Sequence, residues 1–150
     1  MAQLAATEQA LYYPTDLRVV ELFVKNHVQF SSSNFTAYDP CSGEGLALKT
    51  FAASAPNYSK IITIGSELEK ERAKAGKENL TKSIHAAFEN LEFDGQPGLI
   101  WLNPPYDSVG GVRTELTWIN MVAPLLENGR CMILVLPERF MKGHENYNAL

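Results

Sequence analysis

Three short stretches hold residue types that can do chemistry: Asp39-Pro40-Cys41-Ser42-Gly43-Glu44-Gly45, the acidic position Glu67, and Asn103-Pro104-Pro105-Tyr106. Gly43 and Gly45 lack Cβ atoms, so the backbone there can turn sharply and approach a ligand closely. A helix starting at such a loop also offers unpaired N–H groups. Glu67 lies 22 residues beyond Gly45, a spacing at which a strand–loop–helix–strand unit sets a carboxylate against a vicinal diol. Asn103 brings an amide, Pro104 and Pro105 stiffen the backbone beside it, and Tyr106 adds a flat aromatic face. Each stretch has a plainer reading too. The Gly loop can simply close a strand, and Glu67 can cap a helix whose first turn also holds Glu69 and Glu71. The Asn-Pro-Pro-Tyr run can be a rigid surface turn. Placement of all three at strand ends on one sheet edge favours the ligand reading.

Positioning them requires regular elements. Leu17, Val20, Val24 and Val28 recur at spacings of three and four, with Phe23 beside them, and predict an amphipathic helix capped by Thr15 or Asp16. His27 reads as a partly buried or boundary histidine. A strand over 35–39 then leads through the Gly loop into a helix carried by Leu46, Leu48 and Phe51. The apolar run 61–64 predicts a buried strand, residues 67–80 a charged helix, and 83–88 a weaker strand. The apolar run 99–102 predicts another strand, 112–126 a helix, and 131–136 a fifth strand. Alternating apolar strands and helices predict a doubly wound α/β fold with a mostly parallel sheet, in which ligands sit at the carboxyl ends of strands.

Composition sets the outer bounds. The 150 residues are 45% hydrophobic and 20% charged, which fits one globular domain. The net charge of −4 and scattered Lys and Arg give no independent support for a polyanion partner. Mixed signs over 67–82 read as a solvated helix face. The N-terminus lacks the pattern of a secretory signal and no stretch is apolar enough to cross a bilayer, so a soluble cytoplasmic protein with no membrane partner is expected. Two cysteines form neither a disulfide framework nor a clustered zinc motif, and no metal is expected. Cys41 reads as a small loop residue and Cys131 as a core residue.

In order and spacing, the three stretches resemble the class I S-adenosylmethionine-dependent methyltransferases. Within that class they are most similar to the N6-adenine DNA methyltransferases with an Asn-Pro-Pro-Tyr motif. There a Pro-containing segment precedes the cofactor loop, as Tyr12-Tyr13-Pro14-Thr15 does here. The resemblance runs over residues 12–140 and implies a Rossmann-like methyltransferase fold that binds S-adenosylmethionine. It places Asp39, Pro40, Cys41, Gly43 and Gly45 in the cofactor loop, Glu67 on the ribose, Thr15 near the methionine end and Phe88 against the adenine ring. Asn103, Pro104, Pro105 and Tyr106 become the catalytic motif, with Asn103 also near the cofactor. The chemistry suits those residue types. An aromatic exocyclic amine attacks poorly because its lone pair is delocalised, and the Asn103 side-chain oxygen and Pro104 carbonyl can each accept one of its N–H bonds. That favours a pyramidal nitrogen without a strong general base. Tyr106 gives an extruded base a face to stack on.

Two departures bear on this resemblance. Where many members of the family carry an acidic residue for the cofactor's adenine amino group, the chain reads His85-Ala86-Ala87-Phe88-Glu89-Asn90. The expected Asp is replaced by Ala, Glu89 can substitute only with a shift, and His85 reads as a buried or boundary histidine. The family sheet also has seven strands, whereas the chain stops soon after the fifth. The expectation is therefore a methyltransferase core over 1–150, with a helical segment at 1–30 and a catalytic α/β part at 35–150. Its sheet is truncated after the fifth strand. The chain is then a piece of a longer protein or a short relative completed by self-association through the open edge. DNA is the expected substrate. An RNA base, a protein glutamine amide and a noncatalytic S-adenosylmethionine-binding module are the alternatives. A nicotinamide-dependent dehydrogenase leaves Asn-Pro-Pro-Tyr without a role, and the loop lacks its three-glycine spacing.

Overall fold

Local sequence signals account for most of the elements in the computed structural model, which describes residues 13–30, 34–56, 60–92, 95–106, 108–109, 112–126 and 130–138. Helix α1 (Leu17–His27) starts where the Asp16 side chain accepts from the Arg18 N–H, and it buries Val20 and Val24. Strand β1 (Phe35–Asp39) leads into α2 (Leu46–Ala53), and β2 (Ile61–Glu67) into α3 (Lys70–Gly76). Strand β3 (Lys82–His85) precedes a 3-10 turn at Phe88–Asn90, and β4 (Leu99–Leu102) follows. Two short strands, β5 (Ser108–Val109) and β6 (Val112–Arg113), form a small antiparallel ribbon before α4 (Thr114–Val122). A 3-10 turn at Ala123–Leu125 and β7 (Cys131–Leu134) complete the described chain.

Five strands pair in the order β3-β2-β1-β4-β7, all parallel. This is the doubly wound sheet that the alternating pattern predicts. The order runs outward from β1 to β3 on one side and from β4 on the other. A crevice must therefore open between the carboxyl ends of β1 and β4, where the connections leave toward opposite faces. Strand β4 shows why its sequence is continuously apolar. Leu99 and Trp101 enter a core with Val20, Val24, Leu48 and Phe51, while Ile100 and Leu102 enter another with Phe88, Trp118, Ile119 and Val122. Both faces of the strand are covered, so no polar alternation survives.

Several expectations need correcting. The helix expected over 67–80 is shorter, because Glu67 ends β2 and Glu69 is the N-cap, accepting from the N–H groups of Glu71 and Arg72. The third strand ends at His85. Residues 112–113 pair as a strand, and α4 begins only at Thr114. Cys131 is exposed rather than in the core, since β7 has a partner strand on one side only. His27 and His85 are exposed rather than buried or at the boundary. His27 rests beside the Phe23 ring, and His85 Nε2 lies 3.0 Å from the Leu68 carbonyl. Residues 1–12 of the helical segment expected at 1–30, Tyr12 among them, and residues 139–150 lie outside the described residues. No described helix is long and apolar enough to cross a membrane.

Candidate active site

The loop after β1 is built by glycine geometry and buried hydroxyls. Gly43 and Gly45 have φ of 54° and 77°, values that side-chain-bearing residues rarely adopt. A Cβ on Gly45 would meet Leu80 Cγ at 2.6 Å, and one on Gly65 would meet Ser42 Cβ at 2.5 Å. The loop is thus pressed onto β2 and the segment after α3. Beneath it, Ser66 Oγ donates to the Pro40 carbonyl at 2.9 Å, so the 2.6 Å contact between Tyr38 and Ser66 hydroxyls has Tyr38 as the donor. Ser42 N–H and Oγ both donate to the Ser66 carbonyl, at 2.9 and 3.2 Å. Burial pushes the Tyr38 phenol well up, which keeps it a donor.

Glu67 stands at the carboxyl end of β2 with 7% of its side chain exposed. Its Oε2 accepts from the Gly43 N–H at 2.9 Å. Oε1 accepts from the Glu69 N–H at 2.8 Å and pairs with Arg72 at 2.9 Å. Three donors occupy three of the roughly four lone-pair sites of a carboxylate. Glu67 therefore holds the Gly loop against β2 and retains one open acceptor site; a bidentate diol contact requires it to exchange one partner. Asp39, at the end of β1, is 3% exposed and accepts from the Cys41 N–H at 3.0 Å. Burial is the main reason its carboxyl is pushed up to about 7, with the nearby Glu67 charge adding to the rise.

At the end of β4, Asn103 is the most connected side chain of its loop. Its Nδ2 donates to the Tyr13 carbonyl at 2.8 Å and to Thr15 Oγ1 at 3.0 Å. Its Oδ1 accepts from the Tyr106 hydroxyl, and its own carbonyl accepts from Cys41 Sγ at 3.2 Å. The Tyr106 hydroxyl also faces the Val135 carbonyl at 2.8 Å; with one hydrogen, it serves one acceptor at a time. Desolvation pushes that phenol up to about 12. The Tyr106 ring stacks on Tyr13 with centroids 5.9 Å apart and planes 23° from parallel. Thr114 Oγ1 ties the Pro105 carbonyl to α4 at 2.9 Å. Among the described residues no donor reaches the Pro104 carbonyl.

These elements enclose one cavity of about 190 Å³ at the β1/β4 crevice. Thr15, Asp39, Pro40, Cys41, Glu67, Phe88, Asn103, Pro104 and Pro105 border it, all of them positions singled out from sequence. Gly43, Gly45 and Tyr106 do not line it: the glycines shape the loop from behind, and Tyr106 sits against Tyr13. Tyr13, Leu68, Arg72, Ala86, Ala87, Trp101 and Trp118 also line it. Except for Tyr13 and the alanines, sequence reading passed over these as surface or core residues. Phe88 meets Trp118 with centroids 5.3 Å apart, giving the wall near β3 an aromatic floor. Ala86 and Ala87 stand where an acidic residue was expected, and Glu89 does not border the cavity. Among the described residues no three His, Cys, Asp or Glu side chains are grouped so as to hold a metal ion.

Comparison with known proteins agrees with this architecture. A Listeria monocytogenes protein, a proposed class I S-adenosylmethionine-dependent methyltransferase, superposes with a TM-score of 0.71 at 10% identity, over 89% of this chain and 48% of its own. The type I restriction-modification methyltransferase subunit of Streptococcus thermophilus gives 0.67 at 14% identity, over 87% and 35%. A Thiobacillus denitrificans S-adenosylmethionine-dependent methyltransferase in complex with S-adenosyl-L-homocysteine gives 0.56 at 19%, over 91% and 58%. The chain thus spans about half or less of the first two relatives, and the likeness is one of fold. No curated protein matches the sequence. A family model does, over residues 1–141, and by that match the chain belongs to the uncharacterised methyltransferase family DUF6094.

Proposed function

We propose that this chain is the cofactor-binding and catalytic core of an S-adenosylmethionine-dependent amino methyltransferase whose acceptor is adenine N6 in DNA. The observation that carries the proposal is the meeting of Asn103, Asp39 and Glu67 around one cavity at the β1/β4 crevice. S-adenosylmethionine supplies a sulfonium methyl, an electrophile that a nitrogen lone pair attacks in line. The residues present fit that molecule. Glu67 offers its open acceptor site to a ribose hydroxyl, and the Asp39 carboxylate suits a cationic methionine end. Phe88, backed by Trp118, suits a flat ring. With Ala86 and Ala87 beside that ring, recognition of its amino group falls to backbone atoms.

At the other end of the cavity, Asn103 Oδ1 and the Pro104 carbonyl are the two acceptors for the amine hydrogens. They draw the nitrogen lone pair out of conjugation. Tyr106 holds Oδ1 through its hydroxyl until an amine takes that place. A base must leave the duplex to reach this loop. DNA as the acceptor is supported by the Asn-Pro-Pro-Tyr motif and by the fold shared with a restriction-modification methyltransferase.

The test combines calorimetric titration with S-adenosylmethionine and methyl transfer to DNA, digested and analysed by mass. Glu67→Ala should weaken cofactor binding at least ten-fold, whereas Asn103→Ala should leave it nearly intact and abolish transfer. Methyl on an RNA base or a glutamine amide would replace the substrate. Tight binding with no transfer to any acceptor would make this a noncatalytic module.

A further inference from the structure

The two ends of the Asn103 side chain have the same shape and opposite chemistry. Rotating the amide by 180° exchanges a pair of donors for an acceptor with almost no change in occupied space. The amine reading needs the acceptor facing the substrate, so something must select that orientation.

The selector lies some ninety residues earlier in the chain. Both Nδ2 hydrogens are spent on the segment before α1, one on the Tyr13 carbonyl at 2.8 Å and one on Thr15 Oγ1 at 3.0 Å. A carbonyl only accepts, so the flipped amide would set Oδ1 against the Tyr13 oxygen and lose that bond; the Thr15 hydroxyl, which can accept or donate, fixes the second hydrogen in the orientation the carbonyl selects. Thr15 is held for this task. It is two residues past Tyr13, whose ring stacks on Tyr106, and immediately before Asp16, which caps α1. Accepting from Nδ2 leaves its own hydroxyl hydrogen free for another acceptor.

We propose that Thr15 is a positioning residue for methyl transfer: its hydroxyl, with the Tyr13 carbonyl, orients the Asn103 amide so that Oδ1 faces the acceptor amine. This rests on the amine reading above and goes beyond it. The resemblance implies that Thr15 lies near the methionine end of the cofactor; its hydroxyl oxygen also meets the Asn103 amide.

Two variants and two readouts test it. Thr15→Val keeps the shape and removes the acceptor, while Thr15→Ser restores it. In steady-state kinetics Thr15→Val should lower kcat about ten-fold, the equivalent of one lost hydrogen bond of roughly 1.4 kcal/mol. The acceptor KM and the cofactor Kd should stay within about two-fold of wild type, and Thr15→Ser should recover most of the rate. The second readout needs no activity. The Asn103 side-chain NH2 signals, assigned in nitrogen-15 NMR spectra by their loss in Asn103→Ala, should be protected from solvent exchange. Thr15→Val should reduce that protection about ten-fold or more. An unprotected NH2 in wild type, or one unaffected by Thr15→Val, would overturn the proposal even in a protein that transfers no methyl. A loss of cofactor affinity matching the loss of rate would make Thr15 a cofactor contact instead. Failure of serine to rescue would reduce it to packing.

Discussion

Asp39→Asn should stabilise the fold, and increasingly so as pH rises. Asp39 is 3% exposed at the end of β1, and burial pushes its carboxyl from an ordinary 3.8 up to about 7. Between those values the folded chain keeps a proton that the unfolded chain has released, so rising pH favours unfolding over that window. The lost stability is about 2 kcal/mol at pH 5 and about 4 kcal/mol at pH 8, where the effect has levelled off. Asparagine removes the titration and keeps an oxygen for the Cys41 N–H, which Asp39 Oδ1 now accepts at 3.0 Å. Urea denaturation of both proteins, read by tryptophan fluorescence, should therefore show the variant's advantage growing by roughly 2 to 3 kcal/mol between pH 5 and pH 8. An advantage independent of pH would refute the reasoning, because it would mean that Asp39 titrates alike in the folded and unfolded chains.

The other predictions concern the same loops. Gly45→Ala meets both a φ of 77° and a Leu80 carbon 2.6 Å from the new Cβ; it should cost about 2 kcal/mol or more in denaturant titration. Arg72→Met removes one of the three donors on the buried Glu67 carboxylate and should destabilise by about 2 kcal/mol at pH 7, while an unchanged midpoint would mean that the two backbone donors suffice. Tyr106→Phe keeps the ring and frees Asn103 Oδ1, so transfer should stay within about three-fold of wild type. Tyr106→Ala should lose ten- to hundred-fold through the missing stacking face, as measured by single-turnover kinetics.

What the sequence determined by itself was the succession of elements and the loops between them. Apolar runs such as 61–64 and 99–102, the Gly-rich turn at 39–45 and the prolines after Asn103 act through neighbours only a few residues away. Their conformations can therefore be read locally, and parallel pairing of the strands follows from the helices that separate them. Element ends were less legible: Glu67 has the charge of a helix start, yet pairing with His85 across β2 and β3 keeps it in a strand. Only the tertiary structure decided which side chains share the cavity and what state they are in. Nothing near Asp39 in the chain announces that burial pushes its carboxyl up to about 7. Nothing near Asn103 shows that Tyr13 and Thr15 will take both of its amide hydrogens. Arg72, Trp101 and Trp118 reach the cavity from a helix surface and a core. The physical reason is the same in each case: desolvation and hydrogen-bond geometry depend on groups distant in sequence, and packing of the sheet and its helices is what brings them together.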